Sequence, residues 1–275
     1  MNRMLVALPA AMTLASCAGL GQESLLISEQ QEVELGAEFH SQLLAEMPEY
    51  TGDPAVAAWV TAIGQSIVPS TDRPDLAYHF TVLDVEDINA FAVLGGYVYV
   101  TRGLLMSAST GAEVAAVIAH ELGHISARHG VQALETYVIA EGLSELLGQG
   151  DLGQVVSGAV QVGAGLAYSQ DQERESDQLG VQYAFDAGYN PWGLVHFFQY
   201  LQTLEGGADP ATDPVSSVFS DLGELFSTHP PTNERIQNVK EQLGQIGVGE
   251  DEQGLAWEGG DATATDIAGI LAGGR

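Results

Sequence analysis

AEVAAVIAHELGHISARHG, residues 112–130, is a largely apolar segment that holds three of the chain's seven histidines. Apolar residues fill most positions from Ala115 to Ile125, which predicts a buried helix. Gly130 is the residue type that most often ends a helix, so we expect the helix to stop there. The segment therefore raises the question of why a buried helix carries His120, Glu121 and His124.

The two histidines of HELGH are four residues apart, so on a helix they point in the same direction. His-Glu-x-x-His is the pattern of zincin peptidases, in which both imidazoles bind one zinc ion and the glutamate accepts a proton from water. We therefore predict His120 and His124 as metal ligands and Glu121 as the catalytic base. Burial of these groups is costly unless they are paired or bind an ion, which disfavours a purely structural role.

A catalytic zinc site needs a third protein ligand and an open position for water. The residues after His124, ISARHG, do not match the metzincin extension, so this ligand must come from elsewhere. In DQERESDQLG (171–180), Glu173 and Asp177 are four residues apart on one predicted helical face. One of these carboxylates is expected to bind the metal and the other to accept a hydrogen bond from a ligand histidine. Glu175 competes as ligand, and a solvated acidic helix is the structural alternative.

The N-terminal residues 1–16 have the features of a signal peptide, with Arg3 followed by an apolar run that is too short to span a membrane. The run ends in LASC, which resembles the lipobox of bacterial lipoproteins. Cys17 is the only cysteine in the chain, so no intramolecular disulfide can form. We expect cleavage before Cys17 and lipidation of its thiol, and Ala18 resembles the outer-membrane sorting pattern. An ordinary signal peptide with an incidental cysteine is the alternative.

The composition restricts the class of partner. The chain has 8 basic and 37 acidic side chains, for a net charge of −29, which repels the phosphates of nucleic acid. Hydrophobic residues make up 45% of the 275 residues, enough for a sizeable core. A solvated acidic surface explains the charge most simply, and steering of basic substrates is the alternative.

Sequence periodicity predicts an α+β, mostly helical fold with a small β-sheet beside the HELGH helix. Residues 78–101 are rich in Val, Tyr and Phe and alternate as strands do, which predicts two or three strands. Other helices are predicted over 29–47, from Asp53 to Pro69, near 131–147, over 170–187, from Asn190 and after Thr232. The predicted domains are a tether over 17–28, a zinc metallopeptidase domain over 29–245 and a flexible acidic Gly/Ala-rich tail over 246–275.

Several motifs, in their order along the chain, resemble the motifs of one family. HELGH, ERESD (173–177), AGYNP (187–191) and HPPTNERI (229–236) are similar to those of the gluzincin zinc metallopeptidases that include HtpX, BepA and the CAAX prenyl proteases. NAFAVLGGYVYVTRGLL (89–105) resembles the family's stretch before the metal helix. The resemblance covers about residues 29 to 245, and the soluble, periplasmic BepA-like branch fits better than the membrane-spanning one.

The resemblance implies roles for individual residues. Glu173 of the E-x-x-x-D motif becomes the third zinc ligand and Asp177 its supporting residue, with one Zn²⁺ per chain. His229 ranks first as the catalytic donor to the oxyanion, ahead of Tyr168 and Arg174. The alternatives for His229 are a fourth zinc ligand that keeps the enzyme latent, and a packed histidine beside two prolines. Independently of the resemblance, Arg128 and His129 are expected to brace the end of the helix, where positive charge is favoured. Four histidines are expected to be structural: His40, His79, His129 and His196.

The predicted function is that of a zinc metalloendopeptidase of the bacterial cell envelope that cleaves unfolded or misassembled proteins in quality control. A strand with a free edge, such as YVYVT, would bind an extended substrate through backbone hydrogen bonds. The candidate substrate-binding residues are Asn89, Ala90, Gly96, Tyr97 and Val98. Two rival functions are a chaperone-like or binding lipoprotein with a latent zinc site, and a zinc hydrolase of cell-wall peptides.

Overall fold

The computed structural model describes residues 26–149, 152–161, 168–207, 229, 231–250, 267 and 269–271. Helices dominate this part of the chain and one small sheet accompanies them, so the predicted α+β, mostly helical fold class is confirmed. The predicted signal peptide and the lipidation site Cys17 lie outside the described residues. Within the described ranges, no helix combines the length and apolar character that crossing a membrane requires.

The predicted helices and strands occur in the predicted order, but the single helix predicted near 131–147 is two helices, and the helix over 102–107 was not predicted. The helices are α1 (Glu29–Glu46), α2 (Pro54–Ile67), α3 (Arg102–Ser107), α4 (Gly111–Ser126), α5 (His129–Ala140), α6 (Ser144–Gln149), α7 (Leu152–Gln161), α8 (Gln170–Asp186), α9 (Trp192–Gly207) and α10 (Asn233–Gln245). The strands are β1 (His79–Leu83), β2 (Ala90–Val93) and β3 (Tyr97–Thr101).

Side-chain caps explain where several helices begin. The Asp53 carboxylate accepts a hydrogen bond from the backbone N–H of Ala55 at 2.8 Å, and Pro54 occupies the first position of α2. Thr232 accepts from the N–H of Arg235 at 3.2 Å and caps α10 in the same way. These caps fix the starts of two helices at the predicted residues, and the second of them places Arg235 in the first turn of α10.

The strand order of the sheet is β1-β3-β2, with β3 parallel to β1 and antiparallel to β2. The predicted free edge of YVYVT is therefore wrong, because β3 lies in the centre and is hydrogen-bonded on both sides. Val98, for example, lies opposite Phe80 of β1 and Ala92 of β2. An alternating sequence pattern identifies strands but not their order in the sheet. Here β2 does not pair with β1, and β3 lies between the two.

The predicted end of the HELGH helix at Gly130 is also wrong. α4 ends at Ser126, and Arg128 then adopts a left-handed backbone conformation with φ of 57°. Gly130 lies in the first turn of α5 instead. The Arg128 guanidinium donates to the buried carboxylate of Glu32 at 2.9 Å, and Arg73 donates to the same carboxylate at 2.8 Å. The Arg128 contact ties the turn between α4 and α5 to α1, and Arg73 also donates to the backbone carbonyl of Ile125 near the end of α4 at 3.1 Å.

α4 and α8 approach each other closely because small residues face one another. A side chain at Gly180 would place its Cβ 2.8 Å from the backbone of His120, and one at Gly123 would meet the Ser176 hydroxyl at 2.7 Å. Ser176 Oγ also donates to the backbone carbonyl of His120 at 2.5 Å. This packing brings the acidic face of α8 against the histidines of α4.

The core surrounds α4, whose residues from Glu113 to Ile125 are all buried. Most of the predicted flexible tail lies outside the described residues. Of those described, Val248, Ile267 and Leu271 are at most 4% exposed, and the last two pack into the core beside α2 and α4. These three residues are therefore packed, unlike a flexible tail. Ile267 and Leu271 are four residues apart and can bury one helical face, whereas Val248 lies just after α10 and packs into a separate apolar cluster.

Candidate metal centre

Four side chains from three parts of the chain converge on one point. Each offers a ligand atom, and these atoms lie within 4.8 Å of one another: His120 and His124 from α4, Glu173 from α8, and His229. Their exposed fractions lie between 1% and 8%, so the alternative of a solvated acidic helix does not hold for Glu173. Buried groups of this kind are stable when they pair with one another or bind an ion.

The distances between the donor atoms fit a zinc ion. His120 Nε2 and His124 Nε2 are 3.1 Å apart. His120 Nε2 lies 3.6 Å from Oε2 of Glu173, and His124 Nε2 lies 3.6 Å from Oε1 of the same carboxylate. Ligand atoms of a tetrahedral site with Zn–N bonds of about 2.0–2.1 Å are separated by about 3.3 Å. Imidazole and carboxylate donors also suit zinc chemically. The described residues therefore fit the predicted cofactor.

The outer nitrogen of His120 faces a buried charged pair, here called the Asp177 side. Asp177 Oδ1 lies 3.0 Å from His120 Nδ1, and the Arg235 guanidinium donates to both Asp177 oxygens at 2.7 and 2.8 Å. Arg235 also forms an ion pair with Glu173 at 2.8 Å. Burial alone would raise the pKa of Asp177, but the hydrogen bonds and charge of Arg235, together with His120, outweigh burial and hold that pKa below its ordinary value.

Sequence reasoning missed Arg235, although HPPTNERI contains it. A signal was present, because a buried aspartate predicted beside a ligand histidine requires a compensating cation. The chain has only eight basic residues, and Arg235 is the one in the last motif of the resemblance. Which of the eight would reach Asp177 depends on how α10 packs against α8, and sequence spacing does not specify that.

The outer nitrogen of His124 faces a different group, here called the His129 side. His124 Nδ1 lies 2.9 Å from His129 Nδ1, and His129 Nε2 lies 3.4 Å from Glu175 Oε2. His129 is 1% exposed, whereas the Glu175 side chain is 59% exposed. Glu175 thus faces His129 and is not part of the four-residue cluster. His129 was expected only to brace a helix end, and its contact with His124 was missed.

Glu121 is buried beside the same cluster. Burial raises the pKa of its carboxyl group, while His229 and His120 act in the opposite direction. One carboxyl oxygen, Oε2, has no hydrogen-bond partner among the described residues. A buried and unpartnered carboxylate oxygen next to a group of candidate metal ligands is the arrangement expected of a base that acts on a small polar ligand.

His229 bridges the two glutamates. Its Nδ1 lies 2.7 Å from Glu173 Oε1, and its Nε2 lies 3.9 Å from Glu121 Oε1. Burial alone would lower the pKa of His229, but the carboxylates of Glu121 and Glu173 outweigh burial and raise it. His229 therefore lies in the site. Its position permits either of the predicted roles, a hydrogen-bond donor to the oxyanion or a fourth metal ligand.

The two other candidate donors differ in position. The Tyr168 ring stacks on His124 with centroids 4.0 Å apart, so it borders the cluster. Arg174 donates instead to Asp171 at 2.6 Å and to Glu234 at 3.1 Å, and its side chain is 39% exposed. Arg174 is thus wrong as an oxyanion donor, because exposed acids on its own helix and on α10 hold its guanidinium.

The imidazole of His124 is suited to bind a metal. Burial, followed by the nearby imidazole of His120, lowers the pKa of His124 and keeps its ring neutral. Burial alone would raise the pKa of Glu173, but the hydrogen bond and charge of His229, together with the charges of His120 and Arg235, outweigh burial and lower that pKa. A neutral imidazole and an ionised carboxylate are the forms in which these side chains bind zinc.

A small apolar cavity of about 30 Å³ adjoins Glu121 and His120. Ala90, at the start of β2, lines it together with side chains of α9 that include Phe197. Asn89 directly precedes Ala90, and its side-chain oxygen Oδ1 is buried without a hydrogen-bond partner among the described residues. These two predicted substrate-binding residues therefore lie at or next to the cluster.

The other three predicted substrate-binding residues do not. Tyr97 stacks between His40 and His79, with ring centroids 4.9 and 4.5 Å away, and Val98 is fully buried. Gly96 packs against the backbone of Ala77. The assignment of Gly96, Tyr97 and Val98 fails for the same reason as the free edge, namely the central position of β3 in the sheet.

Comparison with known proteins finds similarity to metallopeptidases over most of the chain. The sequence model of peptidase family M48 matches residues 54–243. The "Beta-barrel assembly-enhancing protease" of Yersinia pestis is 26% identical over 235 residues, which cover 80% of this chain and 45% of that protein. The "Metalloprotease LoiP" of Escherichia coli (strain K12) is 28% identical over 266 residues, covering 89% of this chain and 98% of LoiP.

Another relative shares a shorter region. The "Mitochondrial metalloendopeptidase OMA1" of Arabidopsis thaliana is 29% identical over 160 residues, or 58% of this chain and 30% of that protein. The chain spans less than half the length of the beta-barrel assembly-enhancing proteases that it matches. The family match covers well over half of the chain and includes HELGH, ERESD and most of α10, and the chain therefore belongs to peptidase family M48, a family of zinc metallopeptidases.

Proposed function

We propose that this chain is a zinc metalloendopeptidase of the bacterial cell envelope that cleaves unfolded or misassembled proteins. One observation carries the proposal: His120 Nε2, His124 Nε2 and a Glu173 oxygen converge at zinc-ligand spacing, with the Glu121 carboxylate beside them. In this proposal these three residues hold the metal, and Asp177 orients His120. The purely structural alternative is disfavoured, because a structural zinc site has no use for a buried base.

Zinc, when bound, polarises a carbonyl group and lowers the pKa of a water molecule toward neutrality. The protein's own residues handle the proton. Glu121 accepts it from the attacking water and delivers it to the leaving amine, and the raised pKa of its carboxyl group favours both transfers near neutral pH. His229, protonated at Nε2, is placed to donate to the developing oxyanion, a contact worth about 3 kcal/mol.

The edge of β2 is the best candidate for binding the substrate. β2 pairs with β3 on one side, and no strand pairs with its other side among the described residues. The backbone of Ala92 lowers the pKa of the Glu121 carboxyl group, and the helix that carries Glu121 packs against β2, so this strand lies beside the proposed base. An extended chain added here would bind through backbone hydrogen bonds, which read little sequence. Such binding favours substrates that are unfolded or poorly assembled.

The envelope location rests on two supports. The sequence LASC (14–17) ends in the chain's single cysteine. This pattern favours cleavage before Cys17 and a lipid anchor on its thiol. Several relatives bear the name "Beta-barrel assembly-enhancing protease", which fits an enzyme that meets outer-membrane proteins during assembly. We therefore propose the periplasm as the location, with attachment to the outer membrane through Cys17.

The test of this function is cleavage of casein or of an unfolded outer-membrane protein by the zinc-loaded enzyme. Glu121→Gln should lower the cleavage rate by about 10²- to 10⁴-fold while zinc content stays the same, because only the base is lost. Glu46→Gln, an equal change at an exposed position of α1, should leave the rate unaltered. Cleavage by Glu121→Gln at the wild-type rate, or wild-type cleavage that a chelator does not stop, would contradict the proposal.

A second candidate function follows from the position of His229 within the ligand cluster. As a fourth ligand it would occupy the open position and make the protein latent, which is the state expected of a chaperone-like binding protein. His229→Asn separates the two roles. The variant should cleave more slowly if His229 is an oxyanion donor, and faster than wild type if His229 blocks the site.

A further inference from the structure

The two ligand histidines obtain their orientation from different partners, and the partner of His124 has no assigned role. His124 Nε2 points into the cluster, 3.1 Å from His120 Nε2. Its other nitrogen, Nδ1, lies 2.9 Å from His129 Nδ1, and all three histidine residues are at most 3% exposed. Two buried imidazoles that meet nitrogen to nitrogen must agree on which of them carries the proton.

The arrangement of protons follows from the chemistry of the ligand. A neutral imidazole that binds zinc through Nε2 has its hydrogen on Nδ1, so His124 is the donor and His129 Nδ1 the acceptor. The hydrogen of the neutral His129 ring is then on Nε2. That atom lies 3.4 Å from Glu175 Oε2, which is an acceptor only. Each nitrogen thus has a partner of the complementary kind, and the chain of contacts runs from the cluster to the surface.

The backbone around His129 is built to make this contact. In a continuous helix a residue five positions after His124 would lie about 140° around the helix axis and point away from it. Arg128 breaks the helix with its left-handed conformation and returns His129 to the face of His124. The buried Glu32 holds Arg128 in that conformation through a 2.9 Å contact from α1.

We propose that His129 is a positioning residue, which fixes the tautomer and ring orientation of His124 for zinc, and that Glu175 fixes the tautomer of His129. This inference rests on the proposed zinc site and deepens it. Partners of this kind behind a ligand histidine raise the ligand's affinity for the metal, and their loss costs about 10- to 100-fold in that affinity.

The test compares two substitutions of nearly equal shape. His129→Asn places a carbonyl oxygen where Nδ1 stands and keeps the acceptor, whereas His129→Leu fills the same space without one. Zinc affinity is measured by competition with a chromophoric chelator on the full chain, and unfolding of the zinc-free protein in urea is measured in parallel. His129→Leu should bind zinc about 10- to 100-fold more weakly than wild type. His129→Asn should restore most of that affinity.

Three outcomes would overturn the inference. His129→Leu could bind zinc as tightly as wild type, the two variants could lose affinity equally, or the loss could follow the stability of the zinc-free protein. Each would mean that His129 only fills space. Failure of the wild-type protein itself to bind zinc would defeat the proposed function instead, so the two failures are distinguishable. His196→Asn, a partly exposed histidine of α9, serves as the control and should bind zinc as wild type does.

Glu175→Ala tests the outer link without risk to folding, because the Glu175 side chain is more than half exposed. It should weaken zinc binding by less than His129→Leu does, since the contact is long and reaches solvent. In the His129→Leu background the same change should have no effect, because the link it acts through is gone. Equal loss in both backgrounds, or no loss in either, would remove Glu175 from the chain of contacts.

Discussion

The Asp177 side and the His129 side hold the two histidines of HELGH by different physical means. Asp177 and Arg235 are both buried, and their ion pair is also joined by Glu173. On the other side a neutral ring follows His124, and the first charge, on Glu175, is more than half exposed. A buried charge left unpaired is far costlier than a neutral partner lost. The Asp177 side should therefore govern both folding and metal binding, and the His129 side metal binding alone.

The largest expected effect is that of Asp177→Ala. The change leaves the buried Arg235 guanidinium without its bidentate partner and should destabilise the zinc-free protein by about 3–5 kcal/mol. Urea unfolding of the zinc-free protein measures it. Glu234→Ala breaks the exposed pair with Arg174 and should cost less than about 1 kcal/mol. Similar losses in the two variants would remove the distinction between the sides.

An intermediate effect is expected where α8 meets α4. Gly180→Ala would set a methyl group 2.8 Å from the His120 backbone, and relief of this overlap should cost about 1–3 kcal/mol. Because the helices must separate, zinc affinity should fall as well. Gly244→Ala in α10 is the matched control, with nothing within 4 Å of the new methyl group. An unchanged zinc affinity in Gly180→Ala would show that the spacing of α4 and α8 does not set the ligand geometry.

The smallest effect concerns pH. Burial would raise the pKa of Asp177, but Arg235 holds it below the unfolded value of about 3.9. The folded state therefore binds this proton less readily than the unfolded state. The resulting stability is fully present above about pH 4 and is lost as the pH falls through the folded pKa. Between pH 6 and pH 2, the zinc-free wild type should lose stability more steeply than Asp177→Asn; parallel curves would contradict this.

Local patterns predicted the parts of the site that lie on one helix or repeat a helical spacing. The four-residue steps from His120 to His124 and from Glu173 to Asp177 fix which side chains share a face, and the structure brings both faces together. Caps such as Asp53 and Thr232 also act within a few residues of themselves. Periodicity and capping are local physics, so the sequence carries them directly.

The parts that were missed depend on contacts between distant segments. Arg235 reaches Asp177 across 58 positions, and Glu175 reaches His129 across 46. The turn at Arg128 depends on Glu32, 96 positions away. Glu32 supports the left-handed conformation of Arg128, so the helix ends before Gly130, where the sequence predicted its end. The order of the strands is likewise a property of the assembled sheet. Such outcomes are decided by packing, which a sequence pattern specifies only in part.

The position of the metal is the claim on which both sides of the site depend. A crystal of the zinc-loaded protein, measured at the zinc absorption edge, would locate it by anomalous scattering. We predict one strong peak about 2.0–2.2 Å from His120 Nε2, His124 Nε2 and a Glu173 oxygen, with Asp177 and His129 still on the outer nitrogens. A peak at another place, or ligation of either histidine through Nδ1, would contradict the account.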